Sequence, residues 1–193
     1  MSTSFFDQEE LRLLGLAAYG RNVLISRKAS IYDPTRLCVG DDVRIDDFCV
    51  ISGTITLGSN IHISAYCALY GSHGIEIMNY SGLSPRCTVF SASDDFSGEY
   101  MISPMVPKEY TKVQGGKVRI ERFCQIGAGS IIMPGVHIHE GVAVGALSFV
   151  KADLAEWNIY AGNPARFIRE RKRGILEKAA ALELSRAKSE CEG

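Results

Sequence analysis

Residues 118–151 read VRIERFCQIGAGSIIMPGVHIHEGVAVGALSFVK, and this stretch decides the fold. Ile120, Ile126, Ile132, Ile138, Val144 and Val150 follow one another six residues apart. Four places after each of the first five stands a small or β-branched residue: Cys124, Ser130, Val136, Val142 and Ser148. A period of six matches neither the 3.6-residue turn of an α-helix nor the two-residue alternation of a lone strand. It fits a triangular coil in which each side is a short strand plus a turn and three sides make one turn of a parallel β-helix. The aliphatic residue points into the prism, and the small one fills a corner where a larger one would not fit.

The same spacing runs upstream through Val39, Ile45, Ile51, Leu57, Ile63, Leu69 and Ile75, with Val43, Cys49, Ile55, Ile61 and Cys67 in the corners. Before it, Val23, Ala29 and Leu37 suggest an irregular opening coil around Asp33 and Pro34. At Gly71-Ser72-His73-Gly74 the phase slips by two residues and resumes with Ile77, Leu83 and Val89, with Ser81 and Cys87 in the corners. An insertion that leaves the repeat intact on both sides predicts a bulge at a corner.

The repeat stops after Phe90. Residues 91–117 (SASDDFSGEYMISPMVPKEYTKVQGGK) carry Pro104, Pro107 and three glycines but no hexad. A loop this long inside a compact solenoid points to function or disorder. Its ends must lie close together, because the next hexad resumes the same prism. Phe96, Tyr100, Met101, Met105 and Tyr110 supply material to pack against a surface, which favours an ordered flap.

The two ends read as appendages of a single domain covering 1–193: an N-terminal helical cap (1–20), the β-helix with its inserted loop (21–152) and a C-terminal return and helix (153–193). In SFFDQEELRLLGLAA (4–18) the spacing predicts a short amphipathic helix with Ser4 as N-cap. Phe5, Phe6, Leu11, Leu14 and Leu16 are expected to cover the open end of the prism, since an uncovered last coil exposes strand edges. AEWNIYAGNPARFI (155–168) reads as an extended return, and RERKRGILEKAAALELSRAKSE (169–190) as a helix with an apolar stripe of Ile175, Leu176, Ala179, Ala180, Leu182 and Leu184.

Bulk properties narrow the function. Lys and Arg number 21 against 22 Asp and Glu in 193 residues, so no basic excess points to nucleic acid or a membrane surface. The start, MSTSFFDQEE, lacks the basic and apolar regions of a signal peptide, and the apolar runs are too short to span a bilayer. Cys38, Cys49, Cys67, Cys87, Cys124 and Cys191 form no CxxC pair, and four of them sit in hexad corners. They are expected to be reduced core residues of a cytoplasmic protein.

The hexads running I-G-A-G-S-I, the M-P-G-V-x-I that follows and the terminus YAGNPARFI resemble the left-handed parallel β-helix, or hexapeptide-repeat, acyltransferases. The resemblance spans residues 20–170. It is nearest to the branch that includes galactoside, maltose and xenobiotic acetyltransferases and the sugar acetyltransferases of O-antigen pathways. It implies the left hand of the helix, a homotrimer, and acetyl-CoA lying in the groove between neighbouring prisms, with the acceptor near the interface and the long loop. By motif, Ala128 and Ala146 match small residues beside the pantetheine arm. Lys151 matches a position near the cofactor, and Arg166 and Arg169 match cationic positions near the nucleotide phosphates, where a guanidinium suits a phosphate. Trp157 is expected either to touch the adenine or to pack over the last coil.

One departure bears on mechanism. Many relatives place a His at the start of the long loop to take the proton from the acceptor hydroxyl. Here the matching position is Asp94, within Ser93-Asp94-Asp95, and the loop holds no His. Carboxylates as a class ionise near pH 4 and are weak bases for a hydroxyl, whereas an amine is the better nucleophile and needs only a partner for its N–H groups. The expectation is therefore an acetyl-CoA-dependent transferase N-acetylating a nucleotide-linked amino-deoxysugar by direct transfer. Asp94 and His73 are the catalytic candidates, and Ser93 and Asp95 line the acceptor site. His73 sits in the phase-slip bulge, which is expected to turn it out into the groove. Asp94 and Asp95, adjacent in an extended segment, should point to opposite sides. Two other readings compete. One is O-acetylation of a sugar hydroxyl, with His73 or Asp94 as base. The other is a catalytically silent binding or scaffold trimer. The same prism also carries zinc in trimeric carbonic anhydrases, but their paired His motif is missing. His137-Ile138-His139 straddles an inward Ile and should lie on an outer face, and no metal is expected in the reaction.

Overall fold

A computed structural model describes residues 4–191. Three parallel faces form a prism. The first stacks the strands Ala18–Tyr19, Leu37–Val39, the second half of Val50–Leu57, the second half of Ala68–Ile77, Val118–Ile120 and His137–Ile138. The second stacks Leu24–Ile25, Val43–Ile45, Ile61–Ile63, Gly82–Leu83, Gln125–Ile126, Ala143–Val144 and Asn158–Ala161. The third stacks Ser30–Tyr32, the first halves of the same two long strands, Thr88–Phe90, Ile131–Ile132 and Phe149–Val150. Pairs such as Ile51 with Leu69 and Val43 with Ile61 are one turn of three hexads apart.

Every hexad aliphatic named above from Val39 onward is buried, and so is every corner residue. The corners do more than exclude bulk. Each corner thiol donates to a carbonyl of the following coil: Cys49 to Ser64 O at 3.2 Å, Cys67 to Ser84 O at 3.1 Å, Cys87 to Gly127 O at 3.2 Å and Cys124 to His139 O at 3.2 Å. The hydroxyls of Ser81 and Ser130 do the same to Glu121 O and Gly145 O. A buried corner carbonyl needs a donor, so Cys and Ser serve where Ala would leave it unpaired. These four cysteines are free thiols, as is the half-buried Cys38, while the side chain of Cys191 lies outside the described residues. Burial pushes Cys49 up to about 11 and Cys124 up to about 12, which makes neither a nucleophile at neutral pH.

The phase slip is a bulge. Gly53 pairs with Gly71, but Ile55 pairs with Ile75, so Thr54 faces Ser72-His73-Gly74. A Cβ on Gly53 would stand 2.5 Å from the Gly71 carbonyl carbon, and one on Gly71 would stand 2.7 Å from Thr54 O, which is why both positions are glycine.

Both termini depart from the expected boundaries. The N-terminal helix is Gln8–Leu14, and its cap is Asp7, not Ser4. Asp7 Oδ1 accepts from Glu10 N at 2.9 Å while Glu10 Oε2 accepts from Asp7 N at 2.7 Å, a reciprocal pair that satisfies two orphan N–H groups. Leu11 plugs the prism with Phe6 and Leu16 against it, whereas Phe5 lies under the Arg44 guanidinium. At the other end residues 169–174, expected to open the helix, are not helical. Arg166–Glu170 pairs antiparallel with Asn158–Ala161, and the helix spans Ile175–Cys191. Arg171 explains the delay: its Nη1 donates to Phe123 O at 2.6 Å and Gly141 O at 2.9 Å, pinning the connection to the corner. Trp157 is buried there against Phe123, which stacks on Tyr80, and Ile175 and Ala179 of the helix cover this aromatic ladder. The expected apolar stripe is thus only partly used, since Leu176, Leu182 and Leu184 stay exposed. Among the described residues no helix is long and apolar enough to cross a membrane.

Candidate active site

The long loop leaves and rejoins the prism at one corner. Ala92 pairs with Gly115 and Ser93 with Gln114 in a two-rung antiparallel ladder, so its ends are pinched together as the resumed repeat requires. Ser91 is the buried root. Its Oγ donates to Tyr70 O at 2.9 Å and accepts the His73 N–H at 2.9 Å, and its carbonyl accepts from Gly116 N. Beyond the ladder the loop is tied to itself by a bridge between Met101 and Thr111. Phe96 and Met105 remain almost fully exposed, contrary to the expectation that they pack down.

Between this flap and the outer side of the third face runs a groove of about 710 Å³. Its floor is Phe90, Ile131, Met133 and Phe149, and its flap side is Ala92, Ser93, Asp94, Phe96 and Val113. A second space of about 520 Å³ shares Ser93, Asp94, Phe96, Met133 and Phe149, and adds Asp95, Gln114, Pro134 and Lys151. Asp94 is exposed at their junction, a carboxylate facing an apolar floor.

Asp95 is enclosed where Asp94 is exposed, although both border the second space. It is 7% exposed, and its Oδ2 accepts from Ser97 Oγ at 2.7 Å. That hydrogen bond, aided by the N–H groups of Ser97, Tyr100 and Gly98, holds its carboxyl below the usual range against the opposing effect of desolvation. Asp95 lines the second space, but its carboxylate is engaged by the flap's own turn.

His73 is turned out of the prism by the bulge, and it lands on the flap. Its ring lies over Gly115, with Nδ1 3.2 Å from Ser72 Oγ, and it is not among the residues lining the groove.

The positions matched to the cofactor lie further along. Ala128 and Ala146 sit on neighbouring turns of the corner between the second and third faces, where Leu147 N donates to Ala128 O at 2.8 Å. The turns approach so closely that a Cβ on Gly127 would stand 2.5 Å from Ala146 N. Lys151 and Arg166 line a common space of about 230 Å³ with Phe149, Tyr160 and Phe167. Arg169 is exposed on the same edge strand, opposite Ile159. Trp157, sealed under the C-terminal helix, packs over the last coil.

The floor residues were missed by the sequence reading, yet they had a signal. The outward row of the second face runs Leu24, Arg44, His62, Gly82, Gln125 and Ala143, whereas that of the third ends in Ile131 and Phe149, with Phe90 stacked on Tyr70 in the row beside it. An apolar row on the outside of a solenoid marks a surface meant to be covered.

Comparison with known proteins fits this geometry. Residues 117–152 match the family model described as bacterial transferase hexapeptide (six repeats). A dTDP-4-amino-4,6-dideoxy-D-glucose acyltransferase of Escherichia coli is 41% identical over 177 residues, which cover 90% of this chain and 92% of that one. The solved structure of AntD, an N-acyltransferase from Bacillus cereus in complex with dTDP and 3-hydroxybutyryl-CoA, is 49% identical with a TM-score of 0.94, covering 96% of this chain and 100% of that one. A variant of AntD with one serine replaced, in complex with dTDP-4-amino-4,6-dideoxyglucose and coenzyme A, superposes with the same TM-score, identity and coverage.

Proposed function

The chain belongs to the hexapeptide-repeat sugar acyltransferases, enzymes that use coenzyme A thioesters, and we propose that it acylates the amino nitrogen of a dTDP-linked amino-deoxysugar. The observation that carries this reading is a groove whose lining offers one exposed carboxylate, Asp94, and no imidazole. Such a site suits an amine. The neutral nitrogen attacks the thioester carbonyl, a C–N bond forms, and the tetrahedral intermediate expels the thiolate as the C–S bond breaks. The nitrogen's proton leaves to Asp94 or water, and the thiolate is protonated from solvent. Asp94 accepts the amine N–H groups and aims the lone pair, a contribution of positioning as much as of basicity. Among the described residues no cysteine lines either space beside Asp94, which favours direct transfer over an acyl-cysteine.

Ala128 and Ala146 border the pantetheine arm in this reading, and Lys151, Arg166 and Arg169 face the phosphates of the donor. Ser93 reaches the acceptor from the flap, Asp95 holds the turn that presents Asp94, and His73 braces the flap from behind. The active unit is a homotrimer, with the donor in the groove between two prisms. It works in the cytoplasm on a precursor of a surface polysaccharide such as an O-antigen. The acyl group is acetyl or a short chain of the 3-hydroxybutyryl kind that the Bacillus cereus relative binds.

The test is direct. The purified protein is given acetyl-CoA or 3-hydroxybutyryl-CoA with dTDP-4-amino-4,6-dideoxyglucose or its 4-hydroxyl counterpart, and the product mass and released thiol are followed. Acylation of the amine alone is expected. Equal acylation of the hydroxyl sugar would favour O-transfer, and coenzyme A binding without turnover on either would favour a silent binding protein.

A further inference from the structure

On the outer side of the first face, away from the groove-lining residues, stands a cluster that the acyl transfer does not use. The ladder sets Arg119 beside His137 and Ile120 beside Ile138, which brings Glu121 level with His139 one coil above. Because Ile138 points inward, His137 and His139 emerge on the same side, and their rings lie 3.8 Å apart at 33°. Glu121 Oε1 is 2.7 Å from His137 Nε2. One potential ligand atom from each of the three residues lies within 4.8 Å of the others. All three side chains are half-buried.

We propose that Glu121, His137 and His139 bind a divalent transition-metal ion of the zinc class. Two imidazoles and one carboxylate are a donor set that such ions favour, and three protein ligands leave a fourth position for water. The supporting contacts are already in place. Glu140 N donates to Glu121 Oε2 at 3.1 Å, so the free oxygen of the carboxylate is held while the other faces the imidazoles. Asp153 Oδ1 accepts from His137 N at 2.8 Å, tying the His-bearing strand to the segment after the last hexad. The contact on Glu121 is an outer one that fixes a ligand's orientation and sharpens affinity, and that on His137 holds its backbone. The nearest competing cation is Arg119, whose Nε is 3.8 Å from Glu121 Oε1 and which is exposed enough to swing away. An ion here would clasp the coil that resumes after the flap to the coil above it and brace the prism at the flap's return.

The experiment uses the whole chain stripped with a chelator and titrated with Co²⁺ and with Zn²⁺. Expected are one ion per chain, the intense visible bands of four- or five-coordinate Co²⁺, displacement of Co²⁺ by Zn²⁺, and a higher Tm with Zn²⁺ present. His139→Ala, and the gentler His139→Asn and Glu121→Gln, should each weaken Zn²⁺ binding about tenfold or more. Acyl transfer by the metal-free protein should persist, which separates this site from the proposed reaction. Wild-type protein that gives only the weak spectrum of hexaaqua Co²⁺ would overturn the proposal. So would variants, folded by their Tm, that bind Zn²⁺ as the wild type does.

Discussion

The ring of His73 lies against the backbone of Gly115, so close that a Cβ at position 115 would stand 2.4 Å from the imidazole. One residue comes from the bulge in the prism and the other from the returning strand of the flap. Their contact, with the Ser91 hydrogen bonds beneath it, fixes where the flap sits over the groove.

Gly115→Ala should push the imidazole away and shift the ladder between residues 92–93 and 114–115. Misplacing a positioning group by an ångström costs about 100-fold in rate, so kcat/KM for the acceptor should fall by up to that factor, with KM for the donor little changed. His73→Ala should cost less, about tenfold, and leave the shape of the pH–rate profile intact, because the ring acts by packing. Loss of a limb of that profile in His73→Ala would instead make His73 a base.

Asp94→Asn removes the groove's carboxylate and should lower kcat/KM about 100-fold or more. Stability should hold within about 0.5 kcal/mol, since Asp94 is an exposed position. Full activity in this variant would remove the central support for an amine acceptor.

Asp95 behaves differently. Its pKa is depressed in the folded flap, first by the Ser97 hydroxyl, so its contribution to order is present above the unfolded value and is lost as pH falls through the folded one. With a reference value of 3.8, that window lies below about pH 4. Pepsin should therefore cut within residues 94–100 more readily as the pH is lowered from about 4 toward 2. In Asp95→Asn that pH dependence should largely disappear, with the flap cut readily throughout.

How much of this was legible beforehand depends on the range of the interaction. The prism was, because a six-residue period records the inward and corner positions one by one, even across the slip at His73. That Asp94 and Asp95 differ in setting was legible too, one exposed and the other buried, although both border the second space rather than opposite sides. Ser4 and Asp7 both offer an N-cap oxygen, and it is the reciprocal pair between Asp7 and Glu10, carried by the capping-box spacing Asp7-Gln8-Glu9-Glu10, that decides for Asp7. The strand Arg166–Glu170 was legible only in part: Arg166, Phe167 and Ile168 fall in the extended return, but Arg169 and Glu170 suit a helix, and pairing with Asn158–Ala161 and the carbonyls that hold Arg171 override that preference. The landing place of His73 depended on Gly115, far along the chain, and no local rule reaches it. Glu121 and His139 could have been related, because they are three hexads apart, but only by reading the repeat for its outward positions as well as its core.

Lys151 and Arg166 share one small space at the end of the groove, and both are exposed. If they meet the donor's phosphates, Arg166→Ala should raise KM for the acyl-CoA about tenfold or more, the range expected for a lost charge-assisted bond. KM for the sugar nucleotide should barely move. The wild type's KM for the donor should rise with added salt, and that slope should flatten in the variant. An effect on the acceptor alone would reassign the pair to the sugar's diphosphate.

Trp157 offers the sharpest separation of structure from binding. It is 4% exposed, tilted against Phe123 with ring centroids 6.3 Å apart, and roofed by Arg173. Gly141 makes room for it, since a Cβ there would stand 2.4 Å from the indole. Trp157→Ala should cost about 3–5 kcal/mol in urea unfolding, as truncation of a buried aromatic does, and should loosen the helix Ile175–Cys191 from the corner. The measured KM for the acyl-CoA should stay within about twofold, because a change outside the binding site leaves binding free energy nearly untouched. A large rise in that KM with little loss of stability would mean that the indole reaches the adenine after all, and that the corner it seals is part of the donor site.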